Sequence, residues 1–293
     1  MKNDSLAIIL KIGSAACVVA LGASVHAAAK SGAPIGQIMA MRAGVSLLLI
    51  TFYGLSTGPI SRMLPINLRL HILRGGLACI AMYLVYVAYA NLPITVAQSI
   101  GYLAPILTLP FAALALRERI VPSTIAAVGL GFGGVLLILG VVSDLGRTAL
   151  IGALAALTAA ALIAGIQVLI RSMMRTEAPV AVAFSFSIIV TLLTMPTALW
   201  GNWVSLTPTL FTWLLLAGVF GAGTLILNTE AVSRSEVGRL APFEYTGLLF
   251  ALSLDWILFG YLPRWLGLLG GILIIAGALV GLIKPPPRQA DPR

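Results

Sequence analysis

The run ALIGALAALTAAALIAGIQVLI, residues 149–170, carries no charged side chain. As a helix rising about 1.5 Å per residue it can cross a hydrocarbon core about 30 Å thick. Lipid offers no hydrogen-bond partners, so a helix, which satisfies its own backbone, is the form such a run takes there. Similar runs lie on both sides of it, at 5–28, 35–57, 70–90, 93–116, 120–142, 179–200, 209–229, 237–260 and 264–283. The short gaps hold turn chemistry: Ser31-Gly32-Ala33-Pro34, Thr57-Gly58-Pro59, Asn91-Leu92-Pro93 and Thr207-Pro208. An all-α polytopic membrane protein of ten transmembrane helices is expected. A tail at 284–293, opening Lys284-Pro285-Pro286-Pro287, is expected to be disordered and cytoplasmic.

Hydrophobic residues make up 60% of the 293-residue chain and charged residues 9%, and mean hydropathy is +1.06. Soluble domains average about 25% charged residues. The formal net charge of +9 does not imply nucleic acid, because the basic residues stand singly in loops. Their distribution orients the chain instead. With ten crossings, Lys2, Arg62, Arg69, Arg74, Arg117, Arg119, Arg171, Arg175, Arg234, Arg239, Lys284, Arg288 and Arg293 fall on one side, against Lys30, Arg147 and Arg264 on the other. Basic loops stay in the cytoplasm, so both termini are expected there, in a bacterial-type inner membrane. Trp200, Trp203, Trp213, Trp256 and Trp265 then sit at the outer interface, where amphipathic rings are favoured. Lys2 before an apolar run and the small residues around Val25-His26-Ala27 imitate a signal peptide. Lys11 interrupts that run, and the stretch is long enough to span, so an uncleaved first helix is expected.

Cys17 and Cys79 lie inside spans with no CxxC, and His26 and His71 lie near opposite membrane faces. No metal or cofactor is expected from them. The chain has no Walker A run, no HExxH and no glycine fingerprint opening a soluble nucleotide fold, which argues against nucleotide hydrolysis.

An ungapped offset of 143 positions lays Ala16 on Ala159, Gly22 on Gly165, Leu84 on Leu227, Ala88 on Ala231 and Tyr102 on Tyr245. It also aligns the helix pairs at 73–116 and 216–259, dividing the chain into units 1–143 and 144–283 of five spans each. An odd number of crossings inverts the second unit, the plan many secondary transporters use to build two access states around one central site.

The first unit's Leu73-Arg74-Gly75-Gly76, Ala90-Asn91-Leu92-Pro93-Ile94-Thr95-Val96-Ala97, Leu103-Ala104-Pro105-Ile106 and Arg117-Glu118-Arg119 resemble an EamA unit of the drug/metabolite transporter superfamily. Ala241-Pro242-Phe243-Glu244-Tyr245-Thr246 and Trp256-Ile257-Leu258-Phe259-Gly260 resemble the second. The acid that usually follows Phe-Gly there is Tyr261 here, whereas Glu118 keeps the first-unit acid. The resemblance implies a cavity between the halves, lined from helices 1, 3, 4, 6, 8 and 9. It also implies transport of amino acids, nucleosides or similar metabolites.

Polar groups inside spans locate candidates for that cavity, because they are costly unless they face protein or water. Arg42 and Asp255 lie at similar depth below the outer surface and can form an ion pair or gate. Glu244, Leu248, Ala251 and Asp255 fall on one helical stripe. Met82, Tyr86 and Tyr89 share a face of the third span, and Gln98, Tyr102 and Pro105 one of the fourth. Gln167, Asn228, Tyr245 and, more weakly, Ser14 complete the expected lining. Such a lining suits an uncharged or zwitterionic molecule with an apolar part. Glycines at 129, 131, 133, 134, 267, 270, 271 and 277 read as close helix packing or a dimer contact. The expected function is secondary transport of amino acids or similar zwitterionic or amphipathic metabolites, in the export direction, by alternating access between the two units, with no cofactor and as a monomer or homodimer. The alternative is a membrane-embedded enzyme acting on a lipid-linked substrate.

The basic-residue bias makes a topological prediction. In intact cells, a membrane-impermeant maleimide should label a cysteine placed at Gly201 and miss one placed at Ser172; the opposite pattern would reverse the orientation.

Overall fold

The computed structural model describes residues 4–116, 122–143, 146–173, 176–200, 202–234, 240, 243–262 and 264–281. Glu118, Arg117, Arg119, Arg175, Arg239, Ala241, Pro242 and the tail at 284–293 lie outside them. The described residues are helical, with no strand among them. The elements are α1 (Asp4–Lys30), α2 (Ile35–Thr57), a 3-10 turn (Ile60–Met63), α3 (Leu68–Asn91), α4 (Ile94–Gly101), α5 (Leu103–Leu116) and α6 (Pro122–Ser143). After these come α7 (Arg147–Met173), α8 (Pro179–Thr194), α9 (Thr197–Trp200), α10 (Pro208–Arg234), α11 (Gly247–Phe259) and α12 (Trp265–Gly281). Among the described residues six helices are long and apolar enough to cross a membrane, and four shorter apolar helices accompany them.

Helix ends follow local chemistry. Asn67 caps α3 by accepting from the Leu70 amide, and Thr207 Oγ1 accepts from the Leu210 amide at the start of α10. Gly260, left-handed at φ 63°, ends α11, with the Tyr261 amide reaching back to the Asp255 carbonyl. Three spans expected to be continuous are broken. The fourth turns at Tyr102 between α4 and α5, where the Pro105 ring would clash with the Gly101 carbonyl. The seventh breaks at Met195-Pro196, between α8 and α9. The ninth is also interrupted, by a turn at Tyr245 and Thr246.

The outside of the bundle is apolar. Leu48, Phe52, Ile80, Leu192 and Trp256 are all more than half exposed, a surface that lipid covers and water would not tolerate. Inside, α1 packs along α10, α7 along α3, and α2 against both α8 and α10. Two contacts are reciprocal. A methyl on Gly134 of α6 would meet the Gly270 carbonyl and Ile274 of α12, and one on Gly270 would meet the Gly134 carbonyl and Ile138. Gly75 of α3 lies against Ile189 of α8, as Gly218 of α10 lies against Val45 of α2.

One loop carries a buried carboxylate. Glu177, between α7 and α8, accepts from the backbone amides of Ile66 and Asn67 at 3.0 and 2.7 Å, and its Oε1 lies 3.3 Å from His71 Nε2. His71 Nδ1 lies 2.5 Å from Ser185 Oγ on α8. Burial alone pushes the Glu177 carboxyl up, but the two amides and His71 outweigh it and hold the group below its ordinary value of 4.5. The folded state therefore binds a proton less readily than the unfolded one. The stabilisation is present above pH 4.5 and is lost as pH falls below it. Glu177→Gln is expected to melt a few degrees below wild type at pH 7, with the gap closing as pH drops below that value. Thermal unfolding in detergent across pH 3.5 to 7 checks this, and a constant gap would refute it.

Candidate substrate site

Three layers of polar side chains lie among α1, α2, α3, α4, α10 and the chain leading into α11. The first contains Asp255. It is 1% exposed, and its two carboxylate oxygens accept from the amides of Ile94 and Thr95 at 2.9 and 2.7 Å. A helix amino terminus presents unpaired N–H groups, and the two oxygens of Asp255 supply acceptors for them. The expected Arg42–Asp255 ion pair is not formed, because α4 holds both oxygens of the acid. Arg42 Nη1 instead points at Met82 Sδ, 3.1 Å away.

The second layer is aromatic. Tyr89 donates to Gln98 Oε1 at 2.8 Å, and the Tyr102 hydroxyl donates to the Glu244 carbonyl at 3.2 Å. The Tyr102 and Tyr245 rings meet edge to face with centroids 5.1 Å apart. These two residues stand 143 positions apart and both occupy turns that interrupt a helix. Glycines make room for the rings: a methyl on Gly247 would lie 2.5 Å from the Tyr102 hydroxyl, and one on Gly22 would lie 2.9 Å from the Tyr89 ring.

The third layer is charged. Lys11 of α1 donates to Asn228 Oδ1 of α10 at 2.9 Å and lies 3.2 Å from Glu244 Oε2. Ser14, one turn further along α1, bonds across to the Thr224 carbonyl of α10 at 3.1 Å. The Glu244 side chain is 51% exposed. It therefore does not share the buried stripe of Leu248, Ala251 and Asp255, since the turn at Tyr245 and Thr246 breaks the helical phase between them.

The structure thus brings together Ser14, Gln98, Tyr102, Asn228, Glu244 and Tyr245, with Tyr86 and Met82 beside Arg42 in a neighbouring layer. Gln167 is not among them; it is exposed on α7, which packs on α3, α4 and α5. Lys11 is the residue that sequence reasoning missed. The signal was present, since Lys11 is an ionisable group inside a span just as Arg42 is. Tyr53 and Glu230, which bond to each other between α2 and α10, escaped for the same reason.

Comparison with known proteins places this architecture. The EamA-like transporter family matches residues 5–140 and 150–283, and the chain belongs to that family, within the drug/metabolite transporter superfamily. It is a multi-pass membrane transporter of small molecules and not an enzyme. A riboflavin transporter of Brucella anthropi is 28% identical over 222 residues, covering 73% of this chain and 76% of that one. An S-adenosylmethionine uptake transporter of Rickettsia bellii is 28% identical over 238 residues, covering 80% and 78%. A crystal structure of a 20% identical protein superimposes with a TM-score of 0.66 over 94% of this chain and 96% of the other, which agrees with the fold.

The contacts of Asp255 predict a graded effect. Asp255→Asn keeps one acceptor oxygen, whereas Asp255→Ala leaves both amides unpaired. An unmet buried hydrogen bond costs about 1–3 kcal/mol. Thermal midpoints should fall in the order wild type, Asn, Ala; an alanine variant as stable as wild type would show that the contact does not hold α4.

Proposed function

We propose that this transporter works by alternating access between two inverted five-helix repeats, 1–143 and 144–283, around the layer of Tyr102 and Tyr245. The observation that carries this reading is the pair of helix breaks at those equivalent tyrosines, whose rings touch. Non-helical backbone at membrane depth is tolerated where it is buried in protein or lines a water-filled cavity, and broken helices meeting near the midplane are how many transporters hold substrate. The reciprocal packing of α6 with α12, and of the Gly75 and Gly218 contacts, supports a two-fold relation between the halves. The six long and four shorter apolar helices are read as ten crossings, with both termini in the cytoplasm.

The substrate is an amphipathic organic metabolite with a flat or apolar part and polar ends. Three tyrosines supply faces and hydroxyls, and Gln98, Asn228, Lys11 and Glu244 supply hydrogen bonds and charge. Ser14, Met82 and Tyr86 belong to the walls. Amino acids, expected from the sequence, remain within this class. The relatives named as a riboflavin transporter and an S-adenosylmethionine uptake transporter favour larger heterocyclic compounds, and the second favours the inward direction over export.

Purified protein in sealed proteoliposomes, given radiolabelled riboflavin, S-adenosylmethionine and leucine in turn, tests the reading. Saturable, competable flux of at least one is expected, and flux of all three at the protein-free background would refute it. The Lys11–Glu244 pair should set charge preference. Lys11→Met leaves a carboxylate without its cation and should raise uptake of cationic S-adenosylmethionine relative to neutral riboflavin, while Glu244→Gln should lower it. A charged contact of about 1.5 kcal/mol corresponds to about tenfold in each direction. Ratios unchanged in both variants would remove the pair from the substrate path.

A further inference from the structure

Arg42 is 7% exposed and sits between α2, α3 and α10 without a carboxylate. Among the described residues its one hydrogen bond is to the Met82 thioether, a weak acceptor, and its Nε has no partner. The Tyr86 hydroxyl, on α3 one turn beyond Met82, is also buried and unpartnered, and Tyr86 is 2% exposed. Ser46, one turn along α2 from Arg42, donates to the Gly218 carbonyl and so offers no negative charge. Gly221 of α10 is the surface the guanidinium lies on; a methyl there would be 2.6 Å from Nε. The small residue lets the charge enter the bundle rather than extend to the membrane surface.

A guanidinium taken out of water without a counter-ion costs several kcal/mol, and pairing with an anion removes most of that cost. The acid at matching depth, Asp255, is bound to the amides of α4. We propose that Arg42, with the Tyr86 hydroxyl, is a subsite for an oxyanion of the transported molecule, a carboxylate in the first instance. The planar fork of Arg42 donates to both oxygens of a carboxylate, and the Tyr86 hydroxyl donates to it from α3. The subsite therefore bridges α2, α3 and α10, helices of both sequence halves. This deepens the transport reading above and rests on it, since it adds an anionic group to the substrate class. A lipid phosphate has the same chemistry, but it would have to enter between packed helices to reach the group.

The test measures binding in the purified full-length chain, without transport. Thermal unfolding is followed in dodecylmaltoside while sodium acetate replaces sodium chloride at constant ionic strength, and separately with added phosphatidylglycerol. Acetate should raise the wild-type midpoint saturably, by about 2–4 °C. Arg42→Met should melt no lower than wild type in chloride, because it removes an uncompensated charge, and should not respond to acetate. No acetate response in wild type, an equal response in Arg42→Met, or a response to phosphatidylglycerol alone would overturn the proposal. If Arg42→Met does not fold, Arg42→Lys decides. It keeps the charge but not the fork, so its acetate shift should be less than half that of wild type, and an undiminished shift would overturn the subsite. Flux of riboflavin or S-adenosylmethionine without an acetate response would count against the subsite alone. An acetate response without flux would count against the transport reading.

Discussion

The carboxylate of Asp255 bonded to the first two amides of α4 is the contact on which the polar interior depends. α4 begins directly after the Asn91-Leu92-Pro93 turn, and Pro93 supplies no N–H, so the amides of Ile94 and Thr95 are the donors available at that end. Without an acceptor they would stand unsatisfied in a buried site. Asp255 comes from α11, in the other half of the sequence, so a single side chain fixes the depth of α4 relative to α11. That depth brings Tyr102, at the end of α4, opposite Tyr245, just before the start of α11. The edge-to-face contact of the two rings is then a consequence of how the helices are held at their far ends.

Exposure varies between the layers. Asp255, Arg42 and Tyr86 are closed off, while Glu244 at the other end is half exposed beside a largely covered Lys11. An ion pair open to water contributes little, because solvent screens it and competes for both partners. The Lys11–Glu244 contact is accordingly easy to exchange for another one. The Asp255 contact, buried and doubly bonded, is not. Strong bonding therefore sits where the helices are joined, and weak bonding where the pair is open at Glu244.

Most helix positions were legible because the apolar runs are long and the gaps carry turn residues. The break at Tyr102 was legible in principle from Pro105, and the break at Met195 from Pro196, since each ring excludes a carbonyl four residues earlier. The partner of Asp255 was not legible. A backbone amide has no residue identity, so a search for a cation at equal depth finds Arg42 and stops there. Glu244 misled for a related reason: the turn at Tyr245 and Thr246 has no proline of its own to announce it, and helical periodicity carried across it puts an exposed acid on a buried stripe. Lys11 stood in plain view, but its position near the amino terminus invited comparison with a signal sequence rather than with Arg42.

Two of the cations in the bundle, Lys11 and Arg42, show how similar residues acquire different duties. Lysine is a compact charge on a flexible stem, and Lys11 divides its donors between an amide and a carboxylate on different elements. Either partner can move and the ammonium can follow. Arginine has a rigid fork, and Arg42 lies against Gly221 with the Met82 thioether, not a carboxylate, as its partner. A buried cation without a carboxylate beside it is completed by an anion brought to it. In a protein that carries small molecules across a membrane, a buried guanidinium without a carboxylate partner is a physical argument about the cargo as much as about the fold.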